Sequence, residues 1–199
     1  QLQEVLFSQG FGTRRVCAGL VQEAESGALS GPVVVGSDPA ASGGQYVHAP
    51  NGSGDQWNGP NASRKASYCF NVATSGTYRI KTKVHSADTN SDSFYVQVDG
   101  APVTGRIWDT LINTTYANDF VNDRGVADPV EVQLPTGPHT VTVFVREDGA
   151  RLDTIQLDLV NTGPPPDPVC AGLLQEAESG SLSGAFEIAN DGAASGGQY

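Results

Sequence analysis

Two carboxylates set two residues apart, Glu23 and Glu25, are the first side chains in the sequence with evident chemistry. On a β-strand both would point to one face. Like charges so placed repel unless they face water or hold a cation between them, and calcium, which takes about six to eight oxygen ligands, suits that role. Aromatic residues offer a second kind of chemistry. A sugar ring presents an apolar CH face and a rim of hydroxyls, so its site needs an aromatic plane beside amide, carboxylate or guanidinium groups. Trp57 stands in such company, in a Gly-, Asn- and Pro-rich stretch over residues 50–63, and is a candidate platform. No catalytic set is assembled: His48, His85 and His139 are scattered, and HExxH, GxSxG and glycine-rich phosphate loops are absent. A glycosidase pair could be drawn from the many carboxylates, but the tandem repeat described below serves avidity or length better than single-site catalysis. The expectation is a binding protein and not an enzyme.

The elements that must position these residues read as strands. In Thr77–Val84, Tyr78, Ile80 and Val84 share one face while Arg79, Lys81 and Lys83 share the other. Ser93–Val98 repeats the alternation with Phe94, Val96 and Val98 inward, and Asp99-Gly100 supplies a turn. Thr140–Val145 aligns Val141, Val143 and Val145, and a last strand carries Leu152, Ile155, Leu157 and Leu159. No stretch has a convincing 3.6-residue apolar period. The fold class expected is all-β: an antiparallel jelly-roll β-sandwich of roughly 8–10 strands.

Bulk properties narrow the partners. The chain has 22 acidic against 11 basic residues, a net charge of −11, which repels nucleic-acid phosphates and anionic lipid. No run approaches the roughly 20 apolar residues that span a bilayer. Neither nucleic-acid binding nor membrane insertion is expected. There is no Met, not even at position 1, and no signal peptide is visible, which fits a processed, exported chain at the cell surface or outside the cell.

Residues 17–46 and 170–199 match at 21 of 30 positions without a gap, a tandem repeat with a period of 170 − 17 = 153 residues. Four segments follow. Residues 1–16 are an N-terminal extension, read either as a protease-site-like linker interrupted by Ser8 or as an edge strand through Val5 and Phe7. Residues 17–160 are the sandwich repeat, 161–169 a Pro-rich linker, and 170–199 the start of a second, incomplete repeat. Of three cysteines, Cys17 and Cys170 are equivalent, so Cys17–Cys69 is the natural disulfide, the alternative being three reduced thiols. Asn51, Asn61 and Asn113 begin Asn-x-Ser/Thr triplets placed in loops, where a glycan would sit if one is attached.

The order of several short motifs resembles a known group. They are Gln22–Glu25, Ala41–Val47, Gly76–Ile80, Asp92–Gly100, Trp108, Gly137–Val141, Arg146–Gly149 and Leu152–Ile155. The series resembles carbohydrate-binding modules of the family 6, family 35 and malectin-like group, which are galactose-binding-like jelly rolls, over residues 20–160. The resemblance implies a structural calcium at Glu23 and Glu25 with Asp153 as third carboxylate, Asp158 being the alternative. It implies sugar contacts by Trp108 and by Tyr46 of the Gly-Gly-x-Tyr loop. Arg151 stands where many relatives carry a sugar-contacting Asn, a departure that bears on which sugar is bound. The function expected is non-catalytic carbohydrate binding or adhesion, with a polysaccharide or glycan as partner. The alternative is a structural subunit of an extracellular filament that self-associates through residues 1–16 and 170–199.

Overall fold

In the computed structural model, residues 17–162 are described, and they contain twelve strands and two short 3-10 turns. The strands are β1 (Val21–Glu23), β2 (Ala28–Ser30), β3 (Val34–Ser37), β4 (Gln45–His48), β5 (Lys65–Val72), β6 (Gly76–Ser86), β7 (Ser93–Val98), β8 (Ala101–Asp109), β9 (Asn113–Phe120), β10 (Glu131–Leu134), β11 (Gly137–Val145) and β12 (Arg151–Thr162). The N-terminal extension, most of the linker and the second-repeat segment lie outside the described residues.

Period-two sequence dictates the layers. β6 buries Tyr78, Ile80, Thr82 and Val84 and turns Arg79, Lys81, Lys83 and His85 outward. β7 and β11 do the same with Phe94, Val96, Val98 and Val141, Val143, Val145, as the sequence indicates. One sheet runs β10-β6-β12-β4-β3, with β1 also pairing β12 and β9 also pairing β6. The other runs β2-β5-β11-β7-β8. The ladders between these strands are antiparallel, so the two sheets make the expected all-β jelly-roll sandwich. The core between them holds Tyr68, Phe70, Ile80, Val96, Trp108, Val141, Ile155 and Leu157, each at most 1% exposed.

Three expectations change. Several strands are too short for a periodicity argument, and they raise the total above ten. Leu159 is 43% exposed, because a second register irregularity falls between Leu159 and Asn161 as β12 leaves the sandwich. Asn113 opens β9 opposite Ser86 and does not sit in a loop, while Asn51 and Asn61 do lie in the β4–β5 loop.

Cys17 and Cys69 form the disulfide, bridging 52 residues. The bond ties the residues before β1 to the outer side of β5, where Ala18 and Phe70 make an isolated bridge. Register also places five loops at one end of the sandwich: β2–β3, β4–β5, β6–β7, β8–β9 and β11–β12.

Candidate carbohydrate-binding face

On the outer face of the larger sheet a row crosses four strands at that end: Val34 on β3, His48 on β4, Arg151 on β12 and His85 on β6. Arg151 is the centre of the row. Its guanidinium lies 4.7 Å from the centroid of Tyr46 and donates to Asp38 Oδ2 at 3.0 Å. Tyr116, on β9, reaches over from the other side, with its ring 6.2 Å from Tyr46 and 5.4 Å from His85. Tyr46 lies over its register partner Gly36, where a Cβ would collide with the ring. The missing side chain at Gly36 thus sets the height of Tyr46, and Tyr46 sets the plane of Arg151.

Electrostatics keep this cluster poised to hydrogen-bond. Burial, and then the neighbouring Arg151 charge, lower the His48 pKa, so its imidazole is neutral near pH 7 and can both donate and accept. Burial pushes the Tyr116 phenol up to about 12. Tyr116 Oη is enclosed and has no hydrogen-bond partner. The planar guanidinium and the two imidazoles, all part-exposed, are suited to the paired hydroxyls of a sugar, with the Tyr116 ring beside them.

The carboxylates predicted for calcium gather beside this face. β12 changes partner from β4 to β1 around Asp153, which is the extra residue at a register shift between Leu152 and Thr154. Asp153 is fully buried and accepts from the Ser42 amide at 2.9 and 3.1 Å and from Lys83 at 3.0 Å. Ser42 Oγ donates to Glu23 Oε1 at 2.8 Å, so one turn links two of the three carboxylates. Glu25 does not share a strand face with Glu23, because β1 ends at Glu23 and Glu25 sits in the 3-10 turn Ala24–Ser26. The turn forms because Ala24 is drawn into the core and its carbonyl accepts from Tyr68. Glu25 Oε1 still comes within 3.6 Å of where a Cβ on Gly43 would stand, at a backbone φ of 60°. Glu23 Oε2 and Glu25 Oε2 are both buried without a partner, which fits an oxygen-seeking cation in donor type. Among the described residues, no three His, Cys, Asp or Glu side chains close into a metal shell. Asp158 is engaged by Gln156 and takes no part.

Two aromatic expectations are corrected. Trp108 is 0% exposed: its ring packs on Phe94 at 5.3 Å and its indole N–H donates to Asp119, so it is a core residue with no face for a sugar. Tyr46 is only 7% exposed, with Gly36 against its ring and Arg151 stacked on it, so it positions the guanidinium and is not itself a free platform. Tyr116, His48, His85 and Asp38 were missed by sequence reasoning. Only the cross-strand register reveals them, and β9, which carries Tyr116, has no alternating apolar pattern. Trp57 stands apart in the β4–β5 loop, 56% exposed. A separate cleft of about 420 Å³, lined by Asp109, Asn122 and residues 123–128, holds no aromatic ring.

The sequence matches no protein-family model and no curated protein at a significant level. Solved structures do match. A family 35 carbohydrate-binding module from Clostridium thermocellum superposes with a TM-score of 0.51 at 25% identity, over 69% of this chain and 96% of that one. The fold is that of a family 35 carbohydrate-binding module. A second Clostridium thermocellum module of the same family matches over 70% of this chain and 97% of that one, at 14% identity and a TM-score of 0.52. An exo-β-1,3-galactanase from Phanerochaete chrysosporium, crystallised with β-1,3-galactotriose, matches at 21% identity and a TM-score of 0.53. There the chain covers 74% of its own length and only 31% of the enzyme. The module fold thus recurs both as a stand-alone unit and as a minor part of larger enzyme chains.

Proposed function

We propose that this module binds carbohydrate, without catalysis, through the outer face built around Arg151. The observation that carries the reading is the half-buried Arg151 fork, fixed from below by Tyr46 and from the side by Asp38, with His48, His85 and Tyr116 around it. Hydrogen-bonding groups around a held guanidinium recognise vicinal hydroxyls and cost little ordering entropy on binding. The likeness to family 35 modules supports the same role. Isothermal calorimetry against oligosaccharides of β-1,3-galactan, β-1,4-mannan and α-1,6-glucan tests it, and Arg151→Ala must weaken the binding found at this face at least tenfold.

Calcium belongs to the same proposal as a structural ion. Glu23 and Glu25 would supply the two orphaned oxygens, with Asp153 and the Ser42–Gly44 turn alongside. Bound there, the ion would neutralise two carboxylates that share one turn. Lys83 already neutralises Asp153 from the other side. An extracellular setting is supported by the Cys17–Cys69 disulfide, which persists in oxidising surroundings. Strand addition is favoured by one observation alone: β3 is an open edge with Val34 and Val35 more than two-fifths exposed. Sedimentation of the full chain across a hundredfold concentration range would reveal assembly there or its absence.

A further inference from the structure

Arg151 lies between two histidines. Its register partner on one side is His48 of β4 and on the other His85 of β6, so three nitrogen-bearing side chains stand abreast on three neighbouring strands. Directly opposed side chains on one sheet face have Cβ atoms about 4.5–5.5 Å apart, and like charges so placed repel. With neutral imidazoles the row carries the Arg151 charge alone, and a proton taken up beside it adds a like charge. The other charged or titratable groups around the row are Asp38, which accepts from Arg151; Tyr46, two residues before His48; Tyr116 on β9; and Lys83 on β6, which is paired with Asp153. β3 adds only Val34 opposite His48. Arg151 thus has one carboxylate partner, Asp38.

His48 is the member of the row whose charge the fold opposes. Its ring lies 5.0 Å from that of Tyr46, the ring on which the Arg151 guanidinium is stacked at 4.7 Å. Burial first, and the Arg151 charge second, lower its pKa. Its ring nitrogens are not enclosed, and no group among the described residues hydrogen-bonds to them. A neutral imidazole offers one donor and one acceptor, which a sugar hydroxyl can match; an imidazolium offers two donors and no acceptor. Proton uptake at His48 therefore removes the acceptor. It also sets a positive charge against Arg151, which favours turning the guanidinium off the Tyr46 ring.

We propose that the Arg151 face is proton-gated: it takes up sugar while His48 is neutral and releases it when His48 is protonated. This rests on the reading of the face as the sugar site and adds its regulation. By linkage, a sugar that binds the neutral imidazole lowers the His48 pKa further, so binding expels a proton wherever free His48 is protonated. Affinity is then full above the pKa of the sugar-free protein. It falls as pH drops through that value, by at most about tenfold per pH unit for one proton.

Calorimetry of the full chain with oligosaccharides of β-1,3-galactan, β-1,4-mannan and α-1,6-glucan at pH 7.5 and pH 4.5 tests the gate. Alongside it, the His48 ring-proton resonance is followed across that range with and without sugar. The sugar that binds at pH 7.5 is expected to bind about fivefold or more weakly at pH 4.5 and to move the His48 midpoint to lower pH. His48→Gln keeps a donor and an acceptor at every pH, so its affinity is expected to change less than about twofold between the two conditions. His85→Gln is expected to keep the pH response. Where His48→Gln binds too weakly to measure, the ring-proton midpoint decides. A pH response that survives in His48→Gln or vanishes in His85→Gln, or a His48 midpoint unmoved by bound sugar, overturns the gate. Equal affinity at both pH values overturns the gate and leaves the Arg151 face standing as a sugar site. No binding of any of the three sugars at either pH overturns the gate and the face together.

Discussion

At the scale of single residues, the account turns on how a guanidinium is held. Arg151 is oriented by Tyr46 and Asp38, and Tyr46 is oriented by the absence of a side chain at Gly36. Arg151→Ala should cost about 10- to 100-fold in sugar affinity, the worth of a charged hydrogen-bond donor, with little change in melting temperature. Gly36→Ala should push the Tyr46 ring off its seat and weaken binding although the altered residue touches no sugar. Comparing the binding calorimetry of the two variants checks both expectations. Elsewhere at this end, Asp92 has its pKa raised to about 6, first by burial and then by the hydrogen bond and charge of Glu147; Asp109 adds to the rise and Arg124 opposes it. A carboxyl with a raised folded pKa binds protons more tightly in the folded state, so its stabilising contribution is present at low pH and is lost as pH rises through 6. Asp92 is only part-buried, so solvent screens the effect to about 1 kcal/mol or less. Asp92→Asn should therefore flatten the stability profile between pH 4 and 7, as read by urea unfolding at stepped pH.

At the scale of elements, the sandwich was readable and the face was not. Alternation in β6, β7 and β11 states which side chains are buried, and those residues are where the sequence puts them. The sites depend instead on register between strands far apart in sequence. Tyr116 comes to Arg151 because β9 and β12 both pair with β6, and Asp153 meets Lys83 and the Ser42 turn at one irregularity beside Leu152. Neither fact leaves a local pattern. The family resemblance implies a sugar contact for Trp108, but Trp108 lies opposite Phe94 near the end of β8 and is pulled into the core. The link between β1, the Ser42 turn and β12 predicts a cation effect. If calcium occupies the orphaned oxygens of Glu23 and Glu25, chelator should lower the melting temperature by several degrees and Glu23→Gln with Glu25→Gln should remove that response. An unchanged melting curve in chelator would exclude the ion. Opening the Cys17–Cys69 bridge should cost about 4 kcal/mol by chain entropy, measurable by urea unfolding with and without reductant.

At the scale of the whole molecule, one sandwich end collects two arginine–aromatic stacks, one on a sheet face and one on a loop. The remaining surface is acidic on balance, with a net charge of −11 over the chain. That balance disfavours strongly anionic partners and is compatible with a neutral polysaccharide. The central claim is that the Arg151 face holds sugar. Its most direct test is nuclear magnetic resonance mapping of the full chain titrated with oligosaccharides of β-1,3-galactan, β-1,4-mannan and α-1,6-glucan. Saturable shifts centred on His48, His85, Tyr116 and Arg151, lost in Arg151→Ala, are the expected result. Saturable binding that leaves those four residues unmoved, or no saturable shift anywhere with any of the three sugars, would contradict the account.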